Sequence, residues 1–172
     1  MQMILIFIII IKRFKLSSTM SKPSLVFSTK LECQAIEYNR LLKRAESAFL
    51  VGKQQEAESL YLSAFDISLK LLQSPTANRV SIERMVEISN YCFDHCSVLC
   101  DCSEYHFLEE AGEALAALLL QSNKSELSSY LLRGYREVAN LAFELVRFNQ
   151  SIRAQEIVNS YIHFERIYKK SH

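Results

Sequence analysis

The sequence predicts an all-α fold of about six antiparallel helices, and three observations carry that prediction. The 172 residues include 3 Gly and 2 Pro, where average usage would supply roughly 20 of the two together. A β-sandwich or barrel needs turn residues every ~8–12 positions and cannot be built from that supply. Apolar residues recur at spacings of three and four through most of the chain, as on one face of a helix, and no stretch alternates apolar with polar residues like a half-buried strand. Finally, 49% apolar and 23% charged residues make a globular domain and exclude a disordered or collagen-like chain.

The elements follow in order. Residues 1–27 read as a leader and residues 28–170 as a helical repeat domain. Thr29 and Glu32 form a capping box, opening a helix whose apolar face is Leu41, Leu42, Ala45, Ala48 and Phe49. Gly52 ends it in the left-handed conformation that stops helices. A second helix follows at once through Leu60, Tyr61, Ala64, Phe65 and Leu72 and is broken at Ser74-Pro75, with Pro75 either a loop residue or the first residue of the next helix. The third helix is expected at about 80–98 and the fourth at about 104–121, joined near Cys100–Ser103. The polar loop Ser122–Ser125 offers two N-caps for a fifth helix over about 126–148, which Asn149 ends. The sixth covers about 150–168. Gly112 and Gly134 fall inside helices, where each costs about 1 kcal/mol relative to Ala; close helix packing is the expected reason for both.

Charge and cysteine narrow the class. The net charge is +1, but Lys12, Arg13 and Lys15 lie in a 19-residue opening without acids, leaving 17 basic against 19 acidic residues from Met20 onward. That balance supplies no basic footprint for nucleic acid. The opening MQMILIFIIIIKRFKL is apolar only as far as Ile11, about half the ~20 residues of a bilayer span, and its cations follow the run where a signal peptide places them first. Two readings fit: a weak membrane anchor with those cations at the headgroups, or a leader upstream of a true start at Met20. A membrane partner is expected only on the first. Five cysteines, an odd number without an export signal, point to reduced thiols in the cytoplasm.

The helices group into three hairpins with an internal repeat. Leu41, Ala45, Ala48, Gly52, Ala57, Tyr61 and Ala64 have the same spacings as Val138, Ala142, Leu145, Asn149, Ala154, Val158 and Tyr161. Ile88, Cys92, His95, Leu99, Phe107 and Ala111 fit with an insertion at Cys100–Ser103. The small residues sit where two helices approach to 8–10 Å. This pattern over residues 37–168 resembles the tetratricopeptide repeat, and the chain is similar to small bacterial tetratricopeptide-like proteins. It departs from that family in its period, 47 and 50 residues between Ala64, Ala111 and Tyr161 against ~34, and in lacking the closing Pro.

The resemblance implies a right-handed stack of three hairpins that binds ligands along the first helix of each. Carried over through Ala45 and Ala142, the implied positions are Asn39, Leu42, Glu46, Phe49 and Leu50, then Arg136, Ala139, Phe143, Val146 and Arg147, with Ser89, Phe93, Cys96 and Ser97 from the middle hairpin. The family's carboxylate-gripping Lys/Asn set is missing. Leu42, Phe49, Phe93 and Phe143 would form an apolar groove for an amphipathic helix or extended peptide, with Arg136 and Arg147 able to pair with acidic groups. These Phe rings can equally be core, filling space under long helices.

One local cluster offers other chemistry. Cys92, His95, Cys96, Cys100, Cys102 and His106 fall within 15 residues. Cys92 and Cys96 lie one helical turn apart and could face one metal, with Cys100, Cys102 or His106 completing a tetrahedral site, yet the spacing matches no usual zinc pattern, and small buried thiols at a helix crossing account for the same positions. No nucleophile elbow, phosphate-binding loop, dinucleotide fingerprint or metalloprotease motif occurs, so neither catalysis nor a cofactor is expected. The expectation is a non-catalytic interaction scaffold for a protein or peptide partner; the alternatives are a cysteine-based metal or thiol sensor and a structural self-associating subunit, such as a homodimer.

Overall fold

The computed structural model of the chain describes residues 25–96, 106–122 and 126–169. Among these residues it is all helical, with six helices and no strand: α1 (Leu25–Leu50), α2 (Gln54–Leu72), α3 (Arg79–His95), α4 (His106–Gln121), α5 (Glu126–Asn149) and α6 (Ile152–Lys169). No described helix is long and apolar enough to cross a membrane. The apolar run before Lys12 and the third-to-fourth connection, including Cys100 and Cys102, lie outside the described residues.

Local chemistry accounts for most of the ends. Gly52 has φ 76°. Its N–H donates to the Phe49 carbonyl at 3.0 Å, and the Lys53 N–H donates to the Ala48 carbonyl at 2.9 Å. That pair of bonds is a Schellman motif, which uses carbonyls the helix end would otherwise leave unmet. Asn78 caps α3: its Oδ1 accepts from the N–H of Val80 at 2.9 Å and of Ser81 at 3.2 Å, while Ser81 Oγ accepts from the Asn78 N–H at 3.3 Å. Pro75 is therefore a loop residue ahead of the cap.

Two predicted ends are corrected. The Thr29–Glu32 box does not open α1, which already runs from Leu25. Nothing between Leu25 and Thr29 interrupts a hydrogen-bond ladder, the last helix-breaking residue before it being Pro23. The left-handed residue after α5 is Gln150, φ 50°, and not Asn149. The Gln150 N–H donates to the Val146 carbonyl at 3.1 Å, so the helix takes one more residue and the next must turn, at about 1–2 kcal/mol for a side chain in that conformation. Ser151 then caps α6, its Oγ accepting from the Ala154 N–H at 3.2 Å.

The helices alternate in direction. Along α1 and α3 the contacts rise together: the Tyr38 hydroxyl donates to Glu87 at 2.8 Å, the Tyr91 hydroxyl donates to Glu46 at 3.1 Å, and the Phe49 and His95 rings lie 4.3 Å apart. α3 and α5 also run parallel, with the Arg79 guanidinium over the Tyr130 ring at 4.9 Å and Ile82 and Val86 against Gly134. So do α4 and α6, linked from Glu109–Arg153 at 3.8 Å to the Tyr168 hydroxyl on the Leu119 carbonyl at 2.8 Å. α4 opposes α5, since Ser122 meets Ser128 while Gly112 meets Tyr135. This packing is consistent with a helical stack.

The core is one continuous cluster running through all six helices. α4 buries most of its surface, through Phe107, Leu108, Ala111, Ala114, Leu115 and Leu119, and keeps Glu109, Glu110 and Glu113 on its remaining, more accessible side. It packs against α2, α3, α5 and α6 and is the centre of the fold.

Candidate interaction surface

The odd-numbered helices expose the surface on which the sequence places a groove, and the structure distributes its residues unevenly. Asn39 is exposed on α1, and Leu42 is half-buried against the core. Phe49 is half-exposed, with its ring against His95, which in turn stacks on Tyr61 at 5.5 Å. Phe93 is half-buried and packs on the core. Ser89, Cys96 and Ala139 are buried and offer nothing to a ligand; Ser97 lies outside the described residues.

The α5 residues face elsewhere. Gly134 faces α3, and Phe143 follows it by nine residues, two and a half turns on; Phe143 is thus on the opposite side of α5. Arg136 donates from Nε to the Tyr161 hydroxyl at 2.9 Å and from Nη2 to Glu165 at 3.0 Å, both on α6. Arg147 is exposed, pairs with Glu144 at 3.4 Å and lies over its neighbour Phe148. Phe49 and Phe93 therefore share no groove with Phe143, Arg136 and Arg147. The carry-over assumed that matching positions on successive helices face one surface, whereas Phe143 lies on the side of α5 away from α3 and Arg136 is engaged by α6.

The Arg136 contacts make a local charge network. The Tyr161 hydroxyl at 2.7 Å, Arg136 and Lys169 at 3.3 Å hold the Glu165 carboxyl down at about 2. Its folded value is below its unfolded one, so this contribution to stability is complete above the ordinary carboxylate range and is lost as pH falls toward 2. Arg136→Ala is expected to raise the Glu165 titration midpoint toward the ordinary range in carboxyl NMR; an unmoved midpoint would assign the effect to Tyr161 and Lys169 alone.

A cleft of about 380 Å³ does open between α3 and α5. Ile82, Val86 and Gly134 form its apolar floor, and Arg79, Tyr130 and Arg133 border one end. Because the two helices are parallel, Glu87 and Glu137 lie together further along. A Cβ built on Gly134 would meet Ile82 Cγ2 at 2.7 Å and Val86 Cγ2 at 3.3 Å. The missing side chain is what lets the two backbones approach and keeps the floor continuous.

Charge is distributed along this cleft. Arg79 is tied to Glu83 at 2.6 Å and stacked on Tyr130. Glu87 is held by the Tyr38 hydroxyl, whose own proton is retained well above the usual phenol range by burial and by that carboxylate. No hydrogen bond or ion pair engages Arg133 or Glu137 among the described residues. Arginines, glutamates, a tyrosine and aliphatic side chains recognise by charge and shape.

No protein-family model, curated protein or solved structure matches the chain. The site therefore rests on its own geometry. The cluster around Cys92 contributes little to it: Cys92 and Cys96 are buried thiols outside any disulfide among the described residues, and Cys96 Sγ lies 4.0 Å from the Glu58 carbonyl. Among the described residues no three metal-ligating side chains converge. The one sequence signal for the cleft was Gly134, a glycine in mid-helix without a local reason to be there.

Proposed function

We propose that this chain is a tetratricopeptide-like, non-catalytic scaffold that binds a partner protein through an extended segment laid in the α3–α5 cleft. The observation that carries the reading is the cleft itself: an apolar floor made accessible by Gly134, with unengaged Arg133 and Glu137 along one wall. Those two residues are one helical turn apart, about 6 Å, close to the ~6.6 Å between same-side residues of an extended strand. A segment with an acidic and a basic side chain two positions apart matches that spacing. Cys33, Cys92 and Cys96, which form no disulfide among the described residues, fit a reducing compartment, the cytoplasm, as its place of work.

The test is affinity capture with the full chain against Tyr130→Ala/Arg133→Glu. Both residues line the cleft, Arg133 exposed and Tyr130 half-buried, and helix content by circular dichroism is expected to be unchanged. Captured partners are expected to fall at least about tenfold, the size of a lost interface anchor. An unchanged set of partners would refute the cleft as the binding surface.

A further inference from the structure

We infer, on the reading of the α3–α5 cleft as the binding surface, that Tyr38 of α1 positions Glu87 so that Glu87 and Glu137 together hold a lysine or arginine side chain of the bound segment. Tyr38 lies outside the cleft and is 1% exposed. Its hydroxyl is 2.8 Å from Glu87 Oε2 and 3.3 Å from the Arg84 carbonyl. A phenol has one proton to donate, and the shorter, charge-assisted bond to the carboxylate takes it. Burial and that carboxylate keep the proton in place well above the usual phenol range. Glu87 itself is exposed and lines the cleft.

The register of the two parallel helices brings Glu137 to the same level. Gly134 faces both Ile82 and Val86, and so stands level with Arg84 midway between them. Glu87 and Glu137 each follow three residues later, about 4.5 Å along the axis, on facing walls of the cleft. Among the described residues no cation of the chain pairs with either carboxylate. Arg84 has its guanidinium over the Tyr38 ring at 5.4 Å, and Arg79 is taken by Glu83 at 2.6 Å. Two carboxylates at one level favour a cation between them. No three metal-ligating side chains converge among the described residues. The cation that fits is therefore an organic one on an aliphatic stem, which the apolar floor of Ile82 and Val86 can cover.

The contribution of Tyr38 is to order this grip in advance. An exposed glutamate that closes on a ligand loses rotamer freedom, a cost equivalent to about twofold to tenfold in affinity. Tyr38 removes part of that cost, because it fixes one carboxylate oxygen from α1 and leaves the other to the ligand. Glu137 has no such partner and is the adaptable half of the pair.

Titration of the full chain with the blocked pentapeptide Thr-Glu-Val-Lys-Thr, followed by NMR at the Ile82 and Val86 methyls, tests this against the same peptide with norleucine in place of lysine. The lysine peptide is expected to bind about fivefold more tightly, the scale of a partly exposed charge contact. Tyr38→Phe keeps the buried ring and should reduce that ratio to about twofold, with the norleucine peptide bound as before. Glu87→Gln, at an exposed position, should reduce the ratio at least as far without disturbing the core. Equal binding of the two peptides by the wild type, or a Tyr38→Phe variant that weakens both alike, would overturn the inference and leave the cleft standing. Methyl signals that neither peptide moves would refute the cleft itself, and the role of Tyr38 with it.

Discussion

Gly134→Val is expected to lower the unfolding midpoint by about 6–12 °C. The mid-helix glycine costs α5 about 1 kcal/mol of helix propensity relative to Ala, so on local grounds any side chain should help. Packing reverses the sign. The first added carbon would lie 2.7 Å from Ile82 Cγ2 and 3.3 Å from Val86 Cγ2. Both are methyls on β-branched side chains with little rotamer freedom, so α3 and α5 must separate. Overpacking of this kind costs about 1–3 kcal/mol; a branched residue lies at the upper end, and each kcal/mol is worth about 2–4 °C in a domain of this size. Gly112 is the control. Its Cβ would meet Tyr135 and Ile157 side-chain atoms at 3.4 and 3.5 Å, ordinary contact, and Gly112→Ala should hold or raise the midpoint. Scanning calorimetry on the two variants would show opposite signs; equal effects would remove close α3–α5 packing as the reason for Gly134.

Tyr135→Ala should cost about 3–5 kcal/mol, the range for truncating a buried aromatic ring. The ring lies at the junction of three helices: it covers Gly112 on α4 and contacts Tyr161 and Phe164 on α6 at centroid distances of 5.9 and 6.0 Å. Burial pushes its hydroxyl up to about 12, with the Ser160 side chain acting the other way. Tyr135→Phe keeps the ring and should lose at most about 1 kcal/mol, the net scale of a hydroxyl's polar contacts. Urea titrations separate the two effects: the midpoint should fall steeply for Ala and slightly for Phe, with the slope unchanged. A small loss for Ala would mean that α6 is held by its surface pairs, Arg136–Glu165 and Arg153–Glu109.

These variants also mark how far the fold was legible in the residues. Gly52 could be placed because a left-handed turn selects for glycine, and the apolar spacing located six helices because burial imposes a period of 3.6. Thr29 misled because a capping box is local and does not exclude a helix that began earlier. Asn149 was displaced by one position because the α5 ladder accepts one more bond, leaving Gln150 to take a conformation its side chain does not favour. The placement of Phe143 apart from Phe49 and Phe93 was not legible for a different reason. Spacing along one helix fixes which residues share a face, but the partner of that face depends on how close two backbones approach. Gly134 in mid-helix signalled close packing, but not that α3 was the helix it would meet.

The parallel course of α3 and α5 has an electrostatic consequence. Each helix carries a dipole equivalent to about half a positive charge at its start. Arg79 is the first residue of α3, and Tyr130 lies about one turn into α5, so both positive helix ends coincide with the arginine end of the cleft. Glu87 and Glu137 lie two turns further along, away from those positive ends. The helix ends and Arg133 therefore impose one potential gradient along the floor of Ile82, Val86 and Gly134, while Arg79 is offset by its own ion pair to Glu83. An extended segment lying there has one preferred direction, with its acidic group toward the helix starts.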